Sequence, residues 1–277
     1  MSEQLKLALS RDRGDAPYDL TDDECAAVVV RYGEYDAAQG RGSDNLAAPS
    51  VSEELSNAIR DAYNHVQIRG RLERLRETLK SGARLCPYCS APTITDLDHY
   101  LPRSIYKDLA IYPRNLIPSC HPCNNIKRAF VSDEESDQLV HPYLDQLPPI
   151  NFLRADIVTS ADGGLSVLFG ITDELDPNNE MLEKAEFQME KFQLNSRLKT
   201  SINVFLAGYE EAFDLAFGGG GAALSSFLAR TSDALARNFG RNDWRVALLR
   251  SLVSNHEFCN GGYKRALGTL EFGDGLA

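Results

Sequence analysis

The chain has 277 residues, of which 43% are hydrophobic and 25% are charged, and its formal net charge is −11 at pH 7. That apolar share is sufficient for a packed core, and the length favours a small catalytic core with helical additions around it. No apolar run approaches the roughly 20 residues of a membrane span, and the first residues do not resemble a secretory signal, so we expect a cytoplasmic protein with no membrane association.

The charge is unevenly distributed along the chain. Residues 56–130 contain 12 Lys and Arg against 6 Asp and Glu, a local charge of +6, which leaves −17 for the remainder. This asymmetry is expected if one face meets phosphates while the rest keeps the protein in solution or meets another protein. An ordinary solvated helix rich in arginine is the alternative explanation.

The first third of the sequence predicts helices separated by a loop. Thr21 and Glu24 have the spacing of a capping box, which predicts a short helix to about Tyr32. Residues 33–50 are rich in Gly, Ser and Asn and are typical of a loop. From 51 to 81 apolar residues recur at intervals of three and four, with a break near Gly70, so we predict one bent helix or two consecutive helices.

The region after residue 131 begins with an acidic connection, 132–137, and continues into a predicted hairpin. Two apolar stretches, 152–158 and 165–171, flank Asp162-Gly163-Gly164, which is a strong turn signal. The hairpin is the only strand pair that this region predicts.

The C-terminal part of the sequence predicts long amphipathic helices. The pattern extends from 179 to 217, and its aromatic residues at helical spacing indicate a packed face and not a base-stacking surface. The four glycines 218–221 lack the Gly-Lys-Ser/Thr ending and the preceding strand of a phosphate loop, so we interpret them as a linker between helices. Two further helices are predicted over 222–239 and 244–258.

Four of the six cysteines form two CxxC pairs that are separated by 30 residues. The pairs are Cys86/Cys89 and Cys120/Cys123. Two such knuckles supply four thiolates for a closed tetrahedral Zn²⁺ site, which is the expected use of this spacing in a cytosolic chain. Because sulfur fills all four positions, the zinc is predicted to hold the fold and not to act on substrate. Cys25 and Cys259 are predicted to be small buried residues.

Polar residues between and after the knuckles carry a specific resemblance. The sequence reads Asp98-His99, then Asn115-Leu116, then Asn124 directly after the second CxxC and Lys127 three residues later. This order, over about 45 residues, resembles the four-cysteine branch of the HNH endonuclease family. The resemblance implies a ββα-metal fold, in which two short strands and a helix hold one divalent ion.

The resemblance also sets the expected organisation of the chain. It implies a nuclease core at 83–131. The sequence patterns described above predict a helical region at 1–82 before it and a hairpin followed by a helical region at 132–277 after it. The expected fold class is therefore α+β and mainly helical, with the core held by a four-cysteine zinc site.

The resemblance implies a role for each matching residue. Asp98 and Asn124 match the ligands of the catalytic ion, and their oxygen donors suit Mg²⁺ or Mn²⁺. His99 matches the general base that takes a proton from water, and Asn115 matches the residue that holds the active-site loop and orients the histidine. The family often has histidine where Asn124 stands, so His121 is the alternative ligand. A helix cap or a buried hydrogen-bonded pair is the alternative explanation of Asp98-His99.

Basic residues near the knuckles are expected to contact DNA. A helix that starts near His121 would place Asn124, Lys127 and Arg128 on one face, close to its positive N-terminus, so that both cations would meet phosphate. The other expected phosphate contacts are Arg69, Arg71, Arg74, Arg103 and Arg114. Because phosphate contacts carry no sequence information, we expect salt-sensitive binding with weak sequence preference.

Together these features predict a metal-dependent endonuclease that hydrolyses DNA and leaves a 5′ phosphate and a 3′ hydroxyl, as the resemblance implies. The alternative is a catalytically idle zinc-knuckle module that binds nucleic acid or protein. The acidic helical C-terminal half predicts a protein partner or a homodimer. Free-standing HNH nucleases with large helical extensions resemble effectors of bacterial antiphage defence or restriction, sometimes beside an ATPase, so such an ATPase is the expected partner.

Overall fold

The computed structural model describes residues 2–10, 18–134, 136–159, 164–172 and 179–268. The chain forms two compact units, the first from residues 1–147 and 183–192 and the second from 148–182 and 193–277. The described residues are mainly helical and include two antiparallel sheets of two strands each, so the fold class is α+β. The units do not follow the expected boundaries after residues 82 and 131.

The first unit contains the two CxxC pairs. Its helices are α1 (Ser2–Leu9), α2 (Asp22–Ala37), α3 (Asp44–Ala47), α4 (Glu53–Ala62), α5 (Glu73–Gly82), α6 (His121–Lys127) and residues 183–192, most of which belong to α7 (Glu180–Lys191). Its strands are β1 (Asp96–His99) and β2 (Leu116–Ser119), and short 3-10 turns cover Tyr63–Val66, Lys107–Leu109 and Pro113–Asn115.

The predicted capping box at the start of α2 is confirmed. The Thr21 side chain accepts the Glu24 N–H, and the Glu24 carboxylate accepts the Thr21 N–H, so two otherwise unpaired donors of the first turn are satisfied. The helix continues beyond the predicted end and through Gly33, because Tyr32 stacks on Tyr112 with ring centroids 4.3 Å apart and Tyr35 is fully buried. Tertiary packing thus overrides the weak helix propensity of glycine.

The predicted break in the second helical stretch lies between α4 and α5. After Tyr63–Val66 the chain turns back, and the Leu72 N–H donates to the His65 carbonyl at 2.8 Å. Gly70 passes so close to that carbonyl that a side chain would collide with it. The sequence therefore forms two helices here, with glycine required at the turn by the close approach of the two backbone segments.

Strands β1 and β2 and helix α6 pack next to one another. The strands pair antiparallel, with Asp96 opposite Ser119 and His99 opposite Leu116. Helix α6 follows β2 directly, as the sequence predicts, and it packs against β1. The order of elements in this part of the chain is therefore strand, strand, helix.

The second unit is built from a hairpin and helices. The hairpin consists of β3 (Leu153–Thr159) and β4 (Leu165–Ile171), and the helices are α8 (Leu194–Ala207), α9 (Glu210–Phe217), α10 (Gly221–Phe239), α11 (Trp244–Val253) and α12 (Tyr263–Gly268). Helix α11 packs against both α10 and β3. An aromatic cluster around Phe213 contacts Phe258 and Tyr263 and supplies much of the core.

The predictions for the second half of the chain are confirmed in outline. The two predicted strands pair antiparallel, while Asp162 and Gly163 of the predicted turn lie outside the described residues. The long amphipathic stretch forms three helices, and the break between α7 and α8 lies at Gln193, whose φ is +51°. The glycine run separates α9 from α10, as expected of a linker. None of the helices in the described ranges has the length and apolar composition needed to cross a membrane.

Candidate functional site

The four cysteines of the two CxxC pairs meet in a buried cluster. Their sulfur atoms all lie within 4.8 Å of one another, and Cys89 Sγ is 3.6 Å from Cys120 Sγ. A disulfide needs about 2.05 Å between sulfurs, whereas tetrahedral Zn²⁺ with Zn–S bonds of about 2.3 Å separates them by about 3.8 Å. The donor set and its spacing fit zinc. Cys25 and Cys259 are buried elsewhere, as predicted.

Each knuckle is shaped by its backbone. The Cys86 carbonyl accepts the N–H groups of Cys89 at 3.3 Å and Ser90 at 2.8 Å, and Ser90 adopts a φ of +57° that closes the turn. In the second knuckle Cys120 precedes α6 and Cys123 lies in its first turn. A tight turn and a helix start therefore direct two sulfurs each towards a common centre.

Tyr88, within the first knuckle, links the cysteine cluster to β1 and to Phe192, the residue that follows α7. Its ring stacks on Phe192 with centroids 4.9 Å apart, and both side chains are buried. Its hydroxyl donates to Asp98 Oδ2 at 2.8 Å. Residues more than one hundred positions apart in the sequence thus fix the knuckle against the strand that carries Asp98 and His99.

Asp96 and Asp98 face α6 from the same side of β1. Residues two apart on a strand point to one face, at a spacing of about 6.6 Å, and residues three apart on a helix are neighbours along its axis. Asn124 accordingly meets Asp96, and Lys127, one turn later, meets Asp98. The strand and the helix are joined by two pairs of polar contacts.

Asp98 is buried and paired with Lys127. Asp98 is 3% exposed and Lys127 is 2% exposed, and Lys127 Nζ lies 3.2 Å from Asp98 Oδ2 and 2.5 Å from the His99 carbonyl oxygen. Burial raises the pKa of the Asp98 carboxyl and lowers that of Lys127, and the attraction between the two groups opposes both shifts.

The expected role of Lys127 as a phosphate contact is therefore wrong. Its ammonium group lies inside the protein, on Asp98, because α6 packs that face against β1. Arg128 does not continue the face either, since α6 ends at Lys127 and Arg128 adopts a φ of +49°. Arg128 is exposed and its Nε donates to the Asn125 carbonyl.

Asn124 is oriented by Asp96, a residue that the sequence interpretation missed. Asn124 Nδ2 donates to Asp96 Oδ2 at 2.8 Å, and His121 Nδ1 lies 2.9 Å from the same oxygen. Only the nitrogen of the amide can donate to a carboxylate, so the amide oxygen of Asn124 points away from Asp96. The available signal was the position of Asp96, two residues before Asp98 and hence on the same strand face.

His99 ends β1 on the face opposite the two aspartates. Its Nε2 lies 2.9 Å from the Ala110 carbonyl oxygen, which can only accept, so Nε2 carries the proton and Nδ1 carries the lone pair. Burial lowers the pKa of His99 to about 4, and the positive charges of Arg103 and Lys127 act in the same direction. The imidazole is therefore neutral at physiological pH.

Tyr63 and Arg103 surround the His99 ring. Tyr63 packs its edge against the imidazole with centroids 4.3 Å apart, and its hydroxyl donates to the Leu97 carbonyl. The Arg103 guanidinium lies 4.9 Å from the centre of the Tyr63 ring. Sequence reasoning selected Arg103 and missed Tyr63, which belongs to the turn after α4 and is far from the knuckles in sequence.

Asn115 fixes the loop between the two strands. Its Oδ1 accepts the Leu101 N–H at 2.7 Å, and its Nδ2 donates to the carbonyls of Leu101 at 3.0 Å and Leu109 at 3.1 Å. Asn115 is fully buried, so each of these bonds replaces a lost contact with water. The loop that carries the Ala110 carbonyl is held at both ends by one amide. The expected influence of Asn115 on His99 stays a prediction.

A second layer of buried hydrogen bonds supports Asn115. His141 Nδ1 accepts the Tyr143 N–H at 3.2 Å, so Nε2 holds the proton and donates to the Tyr35 hydroxyl at 2.8 Å. The Tyr35 hydroxyl is then free to donate to Asn115 Oδ1 at 3.3 Å. Burial lowers the pKa of His141 to about 3, which keeps the imidazole in this neutral form.

His141→Gln is expected to reduce the acid sensitivity of folding. Between about pH 3 and pH 6.5 the unfolded chain binds a proton at His141 and the folded chain does not, so stability falls as the pH drops. From pH 7 to pH 5 this group contributes a loss of about 2 kcal/mol. Glutamine keeps a donor for Tyr35 and does not titrate.

Urea unfolding of both proteins at pH 7 and pH 5 checks this prediction. The groups facing His141 are Asp145, which accepts its N–H and pairs with Lys184, and the more distant Arg114; all are present in both proteins. Zinc loss at low pH is also common to both. Equal loss of stability in the variant and the wild type would contradict the prediction.

The remaining arginines expected to contact DNA differ in their surroundings. Arg69 and Arg74 are exposed, whereas Arg71 donates to the Ser10 carbonyl and contacts His65. Arg114 Nη1 forms an ion pair with Asp36 at 2.6 Å. Arg71 and Arg114 therefore already have partners within the protein.

Comparison with known proteins gives one partial likeness to report. Over 72 residues the chain is 36% identical to Protein ea31 of Escherichia phage lambda. The aligned part is 25% of this chain and 24% of the relative, so the match spans about a quarter of each protein. No family model matches the chain, and no solved structure matches it.

Proposed function

We propose that the protein is an HNH-type endonuclease that hydrolyses DNA phosphodiester bonds with the help of a divalent ion. The observation that carries the proposal is the state of His99, whose Nε2 is bound to a carbonyl and whose Nδ1 holds the lone pair, at the end of a strand beside Asp98. A strand, strand and helix joined by a four-cysteine cluster support this interpretation.

Each step of the proposed reaction assigns a task to a residue of this chain. His99 Nδ1 accepts a proton from a water molecule, the resulting hydroxide attacks phosphorus, and the bond from phosphorus to the 3′ oxygen breaks. The leaving 3′ oxygen takes a proton from solvent and His99 returns its proton to solvent, so the products carry a 5′ phosphate and a 3′ hydroxyl. Asn115 holds the loop that binds Nε2, and Arg103 supplies positive charge near the imidazole.

Asp98 and Asn124 are the residues that would hold the divalent ion. In this structure the Asp98 carboxylate is buried, paired with Lys127 and turned towards α6, away from His99, so ion binding requires Asp98 to exchange Lys127 for the metal and to turn towards the histidine. Their carboxylate and amide oxygens are the hard donors that Mg²⁺ and Mn²⁺ prefer, and Asp96 fixes the amide so that its oxygen is the free end. When bound, the ion would stabilise negative charge on the scissile phosphate and on the leaving 3′ oxygen.

One observation favours a second candidate function. Lys127 already neutralises Asp98, so the carboxylate has a cation before any ion binds. This arrangement is also expected of a zinc-stabilised module that binds nucleic acid without cutting it. The protein partner or homodimer that the acidic C-terminal half predicts stays a prediction in either case.

A cleavage assay separates the two functions. Purified zinc-loaded protein with added Mg²⁺ or Mn²⁺ is expected to convert supercoiled plasmid to nicked and linear forms, and 5′ end-labelling is expected to require prior removal of the new phosphate. Linear DNA, single-stranded DNA and RNA test the substrate range. DNA binding without cleavage under either metal would favour the second function.

A further inference from the structure

Two cations of α5 converge on one carbonyl oxygen beside β1. Arg76 Nη2 donates to the Thr95 carbonyl at 2.6 Å, and Lys80 Nζ donates to the same oxygen at 3.0 Å. The residues are four apart, so they lie one above the other on the helix face. Their nitrogen atoms are within roughly 6 Å of each other, which is shorter than the screening length of about 8 Å at physiological salt. The two positive charges therefore repel each other.

Among the described residues, no carboxylate forms an ion pair with either of these two cations. In the ranges that the structure describes, neither Arg76 nor Lys80 has an acidic group within ion-pair distance, although Glu73 and Glu77 belong to the same helix. Two other surface cations of the first unit do have such partners: Lys6 pairs with Asp22, and Arg60 with Asp61, both at 2.8 Å. A close pair of uncompensated cations is a site for an anion.

The position of the pair beside β1 bears on which anion it would bind. Thr95 directly precedes β1, and its N–H continues the ladder with Ser119. His99 lies four residues further along the extended chain, at about 13 Å, and Arg103 lies beyond it. Along a DNA duplex that distance corresponds to about four base pairs. The carbonyl that both cations contact is therefore about four base pairs' length from His99, which is within reach of one DNA backbone if His99 faces the bond being cut.

We propose that Arg76 and Lys80 form a phosphate clamp that holds the DNA backbone at a position flanking the cut, an inference that rests on the proposed endonuclease function. Arginine offers a fork of donors to two phosphate oxygens, and lysine adds a point charge. The clamp replaces Lys127 as the main phosphate contact of this region, because Lys127 is buried on Asp98.

The salt dependence of DNA binding tests the clamp. Anisotropy of a labelled DNA duplex of about 20 base pairs is measured without added Mg²⁺ or Mn²⁺, from about 50 to about 200 mM NaCl. Arg76→Gln/Lys80→Gln is expected to reduce the slope of log affinity against log salt by about 1.8 and to weaken binding roughly 10- to 100-fold. Arg76→Lys/Lys80→Arg keeps both charges and is expected to retain the wild-type slope.

A matched control removes two charges that are already paired. Lys6→Gln/Arg60→Gln changes the net charge equally, but both residues are neutralised by aspartates, so its slope is expected to remain close to wild type. Zinc content and the thermal midpoint show that each variant is folded. The clamp is overturned if the Arg76→Gln/Lys80→Gln variant keeps the wild-type slope, or if the Lys6→Gln/Arg60→Gln control loses as much slope. It is also overturned if the Arg76→Lys/Lys80→Arg variant loses slope, or if the wild type binds no DNA.

The clamp and the endonuclease proposal fail in different ways. Slope loss in the glutamine pair, together with no cleavage by the wild type under either metal, would leave the clamp standing and overturn the hydrolysis. Cleavage by the wild type, with an unchanged slope in the glutamine pair, would overturn the clamp and leave the hydrolysis standing.

Discussion

Cys120→Ser is expected to unfold the first unit and to abolish zinc retention. The cluster is buried and joins the loop before β1 to the helix after β2, so one missing sulfur breaks a closed four-coordinate site. Structural zinc contributes about 10–16 kcal/mol in zinc-finger peptides, which is comparable with the whole stability of an ordinary domain at about 5–15 kcal/mol. Metal analysis, circular dichroism and limited proteolysis measure the loss.

Cys25→Ser provides the matched control for this loss. Cys25 is buried in α2 of the same unit, but it lies outside the cluster. Serine at that position is expected to cost about 1–3 kcal/mol, as for a buried polar group with incomplete partners, and to leave one zinc per chain. A Cys120→Ser protein that keeps its zinc and its protease resistance would show that the cluster is not a structural metal site.

His99→Ala is expected to lower the rate of plasmid nicking by about 10²- to 10⁴-fold, the usual contribution of a general base. DNA affinity is expected to stay within a few fold, because the ring is bound to the Ala110 carbonyl and packed by Tyr63, and carries no positive charge. Nicking rate at saturating Mn²⁺ and duplex binding are measured on the same preparation.

Two further variants make the His99 experiment specific. His99→Gln keeps a donor for the Ala110 carbonyl but has no basic nitrogen, so it is expected to fold normally and to be equally inactive. His256→Ala removes an exposed histidine of the second unit and is expected to cut at the wild-type rate. Cleavage by His99→Ala at the wild-type rate would show that the general base lies elsewhere, and His121→Ala would then test the alternative site beside Asp96.

The sequence predicted those features whose causes are local. The capping box at Thr21, the start of α6 and the strands on either side of the predicted turn follow from spacing that neighbouring residues determine. The meeting of the cysteines was predictable for a related reason, since two CxxC units have few arrangements that satisfy four thiols. The break between α7 and α8 was not, because the positive φ at Gln193 has no strong sequence signal.

The site differed from prediction where long-range packing decides the environment of a charge. A lysine three residues after Asn124 is equally compatible with solvent and with burial, and the choice depends on whether Asp98 lies opposite it. The same holds for Arg114, which Asp36 neutralises from a helix near the start of the chain. Sequence periodicity identifies the face of a helix, but it does not identify which acidic residue that face will meet.

The short segment 183–192 has a consequence for how the molecule is made. It supplies Phe192 to the ring of Tyr88, Phe187 to Phe130, and Lys184 to Asp145. During synthesis the ribosome adds these residues only after the hairpin. The four cysteines can therefore come together before the residues that pack on Tyr88 and Phe130 have been made. Packing of this region is therefore complete only after residues 183–192 have been synthesised. A chain truncated before residue 183 would leave the rings of Tyr88 and Phe130 exposed to water.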